Sequence, residues 1–511
     1  MQAIVTGKEM KAIDTYTIEQ MGIPSLVLME RAAWAMINRM IPNITKNTMI
    51  LSVCGAGNNG GDAVAVARIL YGMGYNTAIY MAGPFEKWTN ETKKQMEIAR
   101  NLGVPEYNEL NLEGVEVVVD GLFGIGLSSP VKEPYDGVIH SLNQWKEIHP
   151  CRRIWSVDMP SGVSSETGQV FGEAVLADYT VTFGYNKCGL VLYPGRDFAG
   201  TCYVEDIGFP KQVLSKISVN GFCMETSDLD NLPSRKMDSN KGDYGKVLVI
   251  AGSKNMSGAA YFAARSAYLM GVGLVRILTE EANRQILQTQ LPQAMISVWE
   301  EQDDTSIIEM LNWATAVVIG PGIGTDDTMR RQIEQIIPQI HCPLVIDADG
   351  LNLLAQNKQW YDKIKEQTIV TPHMGEMSRL TGYTLTELKT DRGYHAYSYA
   401  RDHAFICVLK DSSSVISNGQ QNCYQHTGND GMATGGSGDV LAGIIGGLAG
   451  MGCEPFMSAC LGSYIHGCAG DHASQIYGTR SMTSVEIMES IVSVLKNIKL
   501  RNIKSGNGLK L

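Results

Sequence analysis

The residues best placed for chemistry stand at glycine-rich points of the chain. Asp439 lies in Gly428–Gly443 (GNDGMATGGSGDVLAG), where Gly435, Gly436 and Gly438 lead into an apolar helical pattern beginning near Asp439. Free N–H groups at a helix N-terminus attract anions, and glycine lets phosphate oxygens approach them. A carboxylate there either caps the helix or takes a proton from an attacking hydroxyl while the amides hold the developing charge. Two more aspartates, Asp120 in VVVDGLFGIGL and Asp158 in WSVDMPSG, close strand-like runs, and CGAGNNGGD (Cys54–Asp62) closes a third. Open parallel sheets bind ligands at the carboxyl ends of their strands, so these three points belong to one candidate site. Their Asn, Asp and Ser oxygens suit a hard cation, and a monovalent ion tolerates such mostly neutral ligation.

The elements that must position these groups alternate. Met49–Val53, Thr77–Tyr80, Val115–Asp120, Ile154–Asp158 and Tyr179–Phe183 read as strands, with a helical pattern at Asp62–Tyr71 and helices over Glu9–Arg39 broken by Gly22–Ile23–Pro24. Polar, weakly periodic sequence fills Lys211–Lys246, and the same alternation then restarts. Strands are expected at Lys246–Ala251, Leu274–Leu278, Ala316–Ile319, Leu344–Asp347, Thr368–Thr371 and Ile406–Lys410, and helices at Ala259–Met270, Asp439–Ala449 and Pro455–Ala473. Alternating signals predict parallel sheets with crossover helices. The expected fold class is α/β, in two tandem three-layer domains.

Composition narrows the partners. The 511 residues carry a net charge of −11, so DNA, RNA and anionic membrane surfaces are disfavoured. Eleven scattered cysteines include no C-x-x-C pair, which argues against a disulfide framework or a zinc site. No run approaches the ~18–20 apolar residues of a membrane span, and Met1–Asp14 lacks the apolar stretch of a signal peptide, so a cytoplasmic protein is expected. Glycine is in excess, 54 residues, and bunched: ten fall in Gly428–Gly452. Such bunching suggests tight turns where backbone meets ligand. Gly55-Ala-Gly57-Asn-Asn-Gly60 fits G-x-G-x-x-G, yet the next strand ends Tyr80-Met81-Ala82-Gly83 without the acidic residue of a redox dinucleotide fold.

GNNGGD, DGLFGIGL and VDMPSG together resemble the NAD(P)H-hydrate epimerase domain, over residues 1–215 and with a Rossmann-like fold. The resemblance implies that Asn58, Asn59, Gly60, Gly61 and Asp62, with Gly124, Ile125, Gly126, Leu127, Ser128, Ser129 and Pro130, hold the damaged dinucleotide. It also implies potassium at Asn59, Asp120 and Ser161, and substrate contact at Asp158. Epimerisation at C6 of the hydrated nicotinamide needs proton transfer, or ring opening and reclosure, assisted by a carboxylate. Asp158 is expected to supply it; the alternative is that it only orients the ring.

The Gly435–Asp439 arrangement resembles ribokinase-like kinases, and no G-x-x-x-x-G-K-[ST] loop occurs. Vitamin kinases of that superfamily carry T-P-N-x-x-E; here the run is Thr371-Pro372-His373-Met374-Gly375-Glu376. With KGDYG at Lys241–Gly245, GPGIG at Gly320–Gly324 and DADGLN at Asp347–Asn352, residues 225–505 resemble the NAD(P)H-hydrate dehydratase domain. By that resemblance Gly322, His373 and Ala259 contact the hydrated dinucleotide. Lys410, Asp411, Ser412, Ser413 and Ser414 hold a nucleotide together with Asn429, Asp430, Gly431, Met432, Ala433, Thr434, Gly435, Gly436, Ser437 and Gly438. Asp439 is then catalytic base and substrate contact, and Glu376 helps a magnesium ion.

The implied partners are NADHX, NADPHX and ADP, with ATP as the other nucleotide. The implied reaction phosphorylates the C6 hydroxyl and eliminates phosphate, leaving AMP. Two positions depart from the family pattern: Asp411 stands where glycine is usual, and Ser239-Asn240-Lys241-Gly242 replaces Ser-His-Lys-Gly. Asp411 would bring negative charge toward the phosphates. The competing readings are a hydroxymethylpyrimidine or sugar kinase with an accessory domain, and a first domain that only binds or scaffolds. Sheet-based domains of this size often assemble, so a homo-oligomer is expected.

Overall fold

The computed structural model describes residues 1–365 and 368–505, with the side chains of 497–505 left aside. The chain divides into two compact units, one of Ala3–Gly221 and the other of Met1–Gln2 with the chain from Phe222 onward.

In the first unit seven strands form a sheet in the order Glu106–Tyr107, Thr77–Met81, Ile50–Cys54, Val117–Gly121, Arg153–Val157, Tyr179–Phe183, Thr201–Glu205. Every pairing among them is parallel. A central parallel sheet is buried on both faces, so its strands are apolar throughout while successive side chains divide between two cores. Ile50 and Cys54 enter one core with residues of the helices Ser25–Met40 and Asn58–Gly72. Leu51 and Val53 enter the other with Val138, Ile139 and Leu142 of the helix Tyr135–Glu147.

The second unit repeats the plan. Its parallel strands run Met295–Val298, Leu274–Thr279, Lys246–Ile250, Ala316–Ile319, Leu344–Ile346, Thr368–Val370, Ile406–Leu409. Val415–Ser417 and Asn422–Tyr424 then add antiparallel. The helices Ser257–Met270, Ser437–Gly450 and Pro455–Tyr477 pack with this sheet around one large apolar core. Among the described residues no helix is long and apolar enough to cross a membrane.

The strands expected from sequence form within a residue or two of their predicted bounds, but helices start earlier, two of them within the glycine motifs. The first begins at Asn58, so Asn58–Asp62 is a helical turn rather than a loop. The other begins at Ser437, with Gly436 as its N-cap at φ 91°. Not every bunched glycine serves a ligand. A Cβ on Gly443 would lie 2.2 Å from the Ala263 carbonyl oxygen, and one on Gly446 would lie 2.3 Å from a Val318 methyl. These glycines let the apolar helix lie against its neighbours.

Candidate active sites

In the first unit a cavity of about 800 Å³ opens at the carboxyl ends of the central strands. Asn58, Asn59, Asp62, Gly124, Ile125, Gly126, Leu127, Ser128, Ser129 and Asp158 line it. Gly60, Gly61 and Pro130 stand outside that lining. Gly60 and Gly61 instead permit close packing: a Cβ on Gly60 would lie 1.9 Å from the Gly55 carbonyl oxygen, and one on Gly61 2.8 Å from the Met29 methyl.

Asp158 follows the strand Arg153–Val157 and takes a left-handed backbone, φ 63°. Its Oδ1 accepts from Lys187 Nζ at 2.6 Å, Thr182 Oγ1 at 3.0 Å and the Phe183 amide at 3.1 Å. Oδ2 has no such partner among the described residues. Lys187 is fully buried, and its Nζ also donates to Thr182 Oγ1 at 2.7 Å and the Phe183 carbonyl at 2.9 Å. Sequence reading missed this lysine; the available signal was a lone cation three residues past a strand-end glycine, in Phe183–Lys187.

Asp120 is fully buried at the end of its strand. It accepts from Ser161 Oγ at 2.6 Å, the Ser161 amide at 2.9 Å, Ser156 Oγ at 2.8 Å and the Leu122 amide at 3.3 Å. Burial raises its pKa and these bonds oppose the rise. Asn59 completes the cluster: its buried Nδ2 has no hydrogen-bond partner among the described residues, and a Cβ on Gly124 would lie 3.0 Å from its Oδ1. A buried carboxylate met only by neutral donors, beside amide and hydroxyl oxygens, fits a large monovalent cation.

In the second unit the catalytic candidates converge on the start of the helix Ser437–Gly450. Asp439 is its third residue, and among the described residues no side-chain hydrogen bond caps this terminus, so Asp439 is not spent on capping. Burial, then the charge of Asp347, push Asp439 up to about 7, with Lys410 pulling the other way. Buried Asp347 accepts at Oδ1 from Lys410 Nζ at 2.6 Å and Thr371 Oγ1 at 2.6 Å. A Cβ on Gly438 would lie 3.3 Å from that Nζ and 3.7 Å from Asp347 Oδ2, so backbone, lysine and carboxylates share one small volume. Burial works against the Lys410 charge, but Asp347 and Glu376 more than offset it and raise its pKa.

His373 precedes the helix Met374–Thr381 as its N-cap. Its Nδ1 accepts from the amides of Gly375 at 2.9 Å and Glu376 at 3.3 Å, and Glu376 Oε2 accepts from the His373 amide at 2.8 Å. Burial and the nearby Lys410 lower the His373 pKa, keeping the ring neutral. Burial pushes Glu376 up to about 7 against Lys410. Gly322, at φ 59°, sits against Ala259: a Cβ built on it would lie 3.0 Å from the Ala259 methyl.

Within the nucleotide-binding candidates, Ser413 is buried and Ser412 exposed, while Ser414 Oγ donates to the Asp411 carbonyl at 3.4 Å. The Asn429 amide is fixed by Asp471 at 3.0 Å, and Ser437 Oγ lies 3.3 Å from His466 Nε2. Gly435 is held through its carbonyl by Ser484 Oγ at 2.7 Å. Asp430, Gly431 and Met432 form one 3-10 turn, and Ala433 and Thr434 lead from it to the helix. Asp411 is answered locally: its Oδ2 accepts from buried Arg392 Nε at 2.5 Å. Lys241–Tyr244 precedes the strand Lys246–Ile250, at the end of the sheet away from these groups, so Asn240 is not part of this site.

Two α/β units, one with a dinucleotide-sized cavity and one with a glycine-lined helix terminus beside paired carboxylates, define a two-site nucleotide-handling protein. A family model described as NAD(P)H-hydrate dehydratase matches residues 247–493, and one described as YjeF-related protein N-terminus matches 25–189. The bifunctional NAD(P)H-hydrate repair enzyme of Thermofilum pendens is 34% identical over 509 residues, covering 96% of each chain. That of Moorella thermoacetica is 33% identical over 519 residues, covering 97% of each. A ribokinase-like superfamily protein from Enterococcus faecalis superposes with a TM-score of 0.50 at 25% identity, over 54% of this chain and 96% of its own. The chain belongs to the family of bifunctional NAD(P)H-hydrate repair enzymes.

Proposed function

We propose that domains spanning about 1–215 and 225–505 act in turn on hydrated nicotinamide dinucleotides. The first interconverts the R and S forms of NADHX and NADPHX, and the second dehydrates the S form. The observation that carries the dehydratase is Asp439 in the first turn of a glycine-fronted helix, beside the Lys410–Asp347 pair. Asp439 takes the proton of the C6 hydroxyl, and the hydroxyl oxygen attacks the terminal phosphorus of ADP. AMP leaves as the bridging bond breaks. The amides of Gly436 and Gly438, for which the described residues offer no acceptor, and the charge of Lys410 offset the negative charge that develops. Phosphate then departs from C6, a proton leaves C5, and the double bond of the dihydropyridine is restored. Phosphorylation makes a leaving group of a poor one, which is why a kinase-like fold suits a dehydration.

Gly322, Ala259 and His373 would hold the hydrated ring, and Lys410–Ser414 with Asn429–Gly438 would hold the nucleotide. The neutral, capping His373 in place of asparagine favours this over a vitamin kinase. Asn59, Asp120 and Ser161 fit potassium, which when bound would supply the positive charge that buried Asp120 lacks. Glu376 Oε2 is spent on the His373 amide, leaving Oε1 for a magnesium ion carried in with phosphate oxygens, an ion that commonly takes one or two carboxylates. The protein is proposed to work in the cytoplasm as a homo-oligomer.

Incubating the full chain with S-NADH hydrate and ADP should restore the reduced-nicotinamide absorbance. No recovery with either ADP or ATP would sink the dehydratase assignment, and recovery with ATP alone would overturn the choice of ADP.

A further inference from the structure

The cavity of the first unit holds a group that its glycine motifs do not announce. Asp14 lies on the helix Gly7–Glu19, and Met10, Lys11, Asp14, Thr15 and Ile18 of that helix all line the cavity. Its spacing to Met10 and Ile18 puts it in the stripe that faces inward. Aspartate is a poor helix former, and a half-buried carboxylate with no partner costs free energy. Among the described residues Asp14 makes no hydrogen bond or ion pair, so nothing in the packing explains it. Asp158 is the opposite case, its Oδ1 held by Lys187, Thr182 and the Phe183 amide and its Oδ2 free.

The titratable and charged groups lining the cavity are Lys11, Asp14, Asp62, Tyr135, Asp158 and Lys187. Lys187 is committed to Asp158, which leaves Asp14 and Asp62 as carboxylates facing a site with too little positive charge. Burial and then Asp158 push Asp14 up to about 6, with Lys187 opposing. Burial, Asp158 and Asp14 hold Asp62 well above the usual carboxylate range. Two carboxyls of unlike environment in one site is the usual arrangement for an acid and a base.

We propose that Asp14 is a second catalytic residue of the epimerase, the acid that works opposite the base Asp158. The proposal rests on the epimerase reading of this cavity. Asp158 Oδ2 takes the proton of the C6 hydroxyl, the N1–C6 bond breaks, and C6 becomes an aldehyde carbonyl. The electron pair of the broken bond passes to N1, which takes the proton of the Asp14 carboxyl. After rotation about C5–C6 the aldehyde presents its other face. N1 then attacks it, returning its proton to Asp14, while the oxygen regains one from Asp158. Nothing is oxidised or reduced, and both side chains end as they began.

The test uses the full chain, with R-NADH hydrate and ADP reporting epimerisation and S-NADH hydrate and ADP reporting dehydration alone. Asp14→Asn should lower kcat for the R form by about 10²–10⁴-fold and leave the S-form rate unchanged, which also shows that the chain is folded. In the unsubstituted protein the R-form rate should fall as pH rises above about 6, because the acid loses its proton, and Asp14→Asn should abolish that dependence. Asp14→Glu should restore part of the rate. An R-form kcat and pH profile unchanged by Asp14→Asn, while Asp158→Asn is inactive, would overturn the role of Asp14 and spare the site. A raised KM with unchanged kcat would reduce Asp14 to binding and overturn it equally. If neither substitution slowed the R form, the reading of the cavity itself would fall.

Discussion

Each unit pairs a lysine with an aspartate at 2.6 Å, but the two pairs leave their catalytic candidates in opposite states. In the first unit Lys187 holds Asp158, the candidate itself. In the second, Lys410 holds Asp347, a neighbour, and Asp439 is left without a direct cation. Asp158 is therefore held in one orientation, whereas Asp439 feels burial and the field of Asp347 and rises to about 7. The same pair of residue types fixes a carboxylate in one site and tunes its neighbour's proton affinity in the other. The tasks proposed for them differ accordingly: Asp158 would trade one proton back and forth, while Asp439 would remove a proton as phosphoryl transfer begins.

The largest effect that would break this comparison is at Asp439. Asp439→Asn should cut recovery from S-NADH hydrate by about 10²–10⁴-fold while R and S forms still equilibrate, as chromatography of the two epimers would show. Loss of both activities would end the division into two sites. Next, Lys187→Met should slow use of the R form by about 100-fold through misplacement of Asp158. Combined with Asp158→Asn it should add almost nothing, because the two act as one unit. Additive losses would mean that Lys187 does something other than hold Asp158.

The pH dependence sharpens the contrast. The base proposed at Asp439 is active only when ionised, so kcat/KM for the S form should rise with pH through about 7 and then level off. Removing the opposing charge with Lys410→Met should move that limb to higher pH. The same shift acts on stability. The folded state binds the Asp439 proton more tightly than the unfolded chain, so stability falls as pH rises from about 4 to about 7, and the penalty is complete above that. Asp439→Asn should therefore raise the thermal midpoint at pH 8, by roughly 2–4 °C for each ~1 kcal/mol relieved. The smallest effect is at Asp411. Because Arg392 answers its charge, Asp411→Asn should change the KM for ADP less than about threefold and lower the midpoint by roughly 2–4 °C. A tenfold gain in ADP affinity would show that Asp411 does face the phosphates.

The strands, the order of the units and most of the glycine-rich site were legible because their signals are local. Apolar runs that end in Asp-Gly or Pro-Ser-Gly declare a strand and its carboxyl end together. What stayed hidden needed the third dimension. Asn58–Asp62 looks like a loop, yet its two glycines pack as a helical turn against Gly55 and Met29. Gly443 and Gly446 resemble in sequence the glycines proposed to cradle phosphate and differ in lying against Ala263 and Val318. Lys187 and Asp14 carry no motif at all. Their meaning comes from neighbours distant in sequence, Asp158 for the lysine and the cavity wall for the aspartate. Arg392, nineteen residues before Asp411, is invisible to any local pattern and removes the objection that Asp411 raised.

The backbone of Asp158 has a consequence for how such a chain could drift. At φ 63° glycine would hold the same turn without strain, and a side chain there costs about 1 kcal/mol. That relief is outweighed by the fully buried Lys187, whose charge would lose its carboxylate partner at a cost of about 3–5 kcal/mol. The aspartate is therefore held in its left-handed turn by its lysine, and a lineage that kept the first unit for binding alone could shed it only together with Lys187.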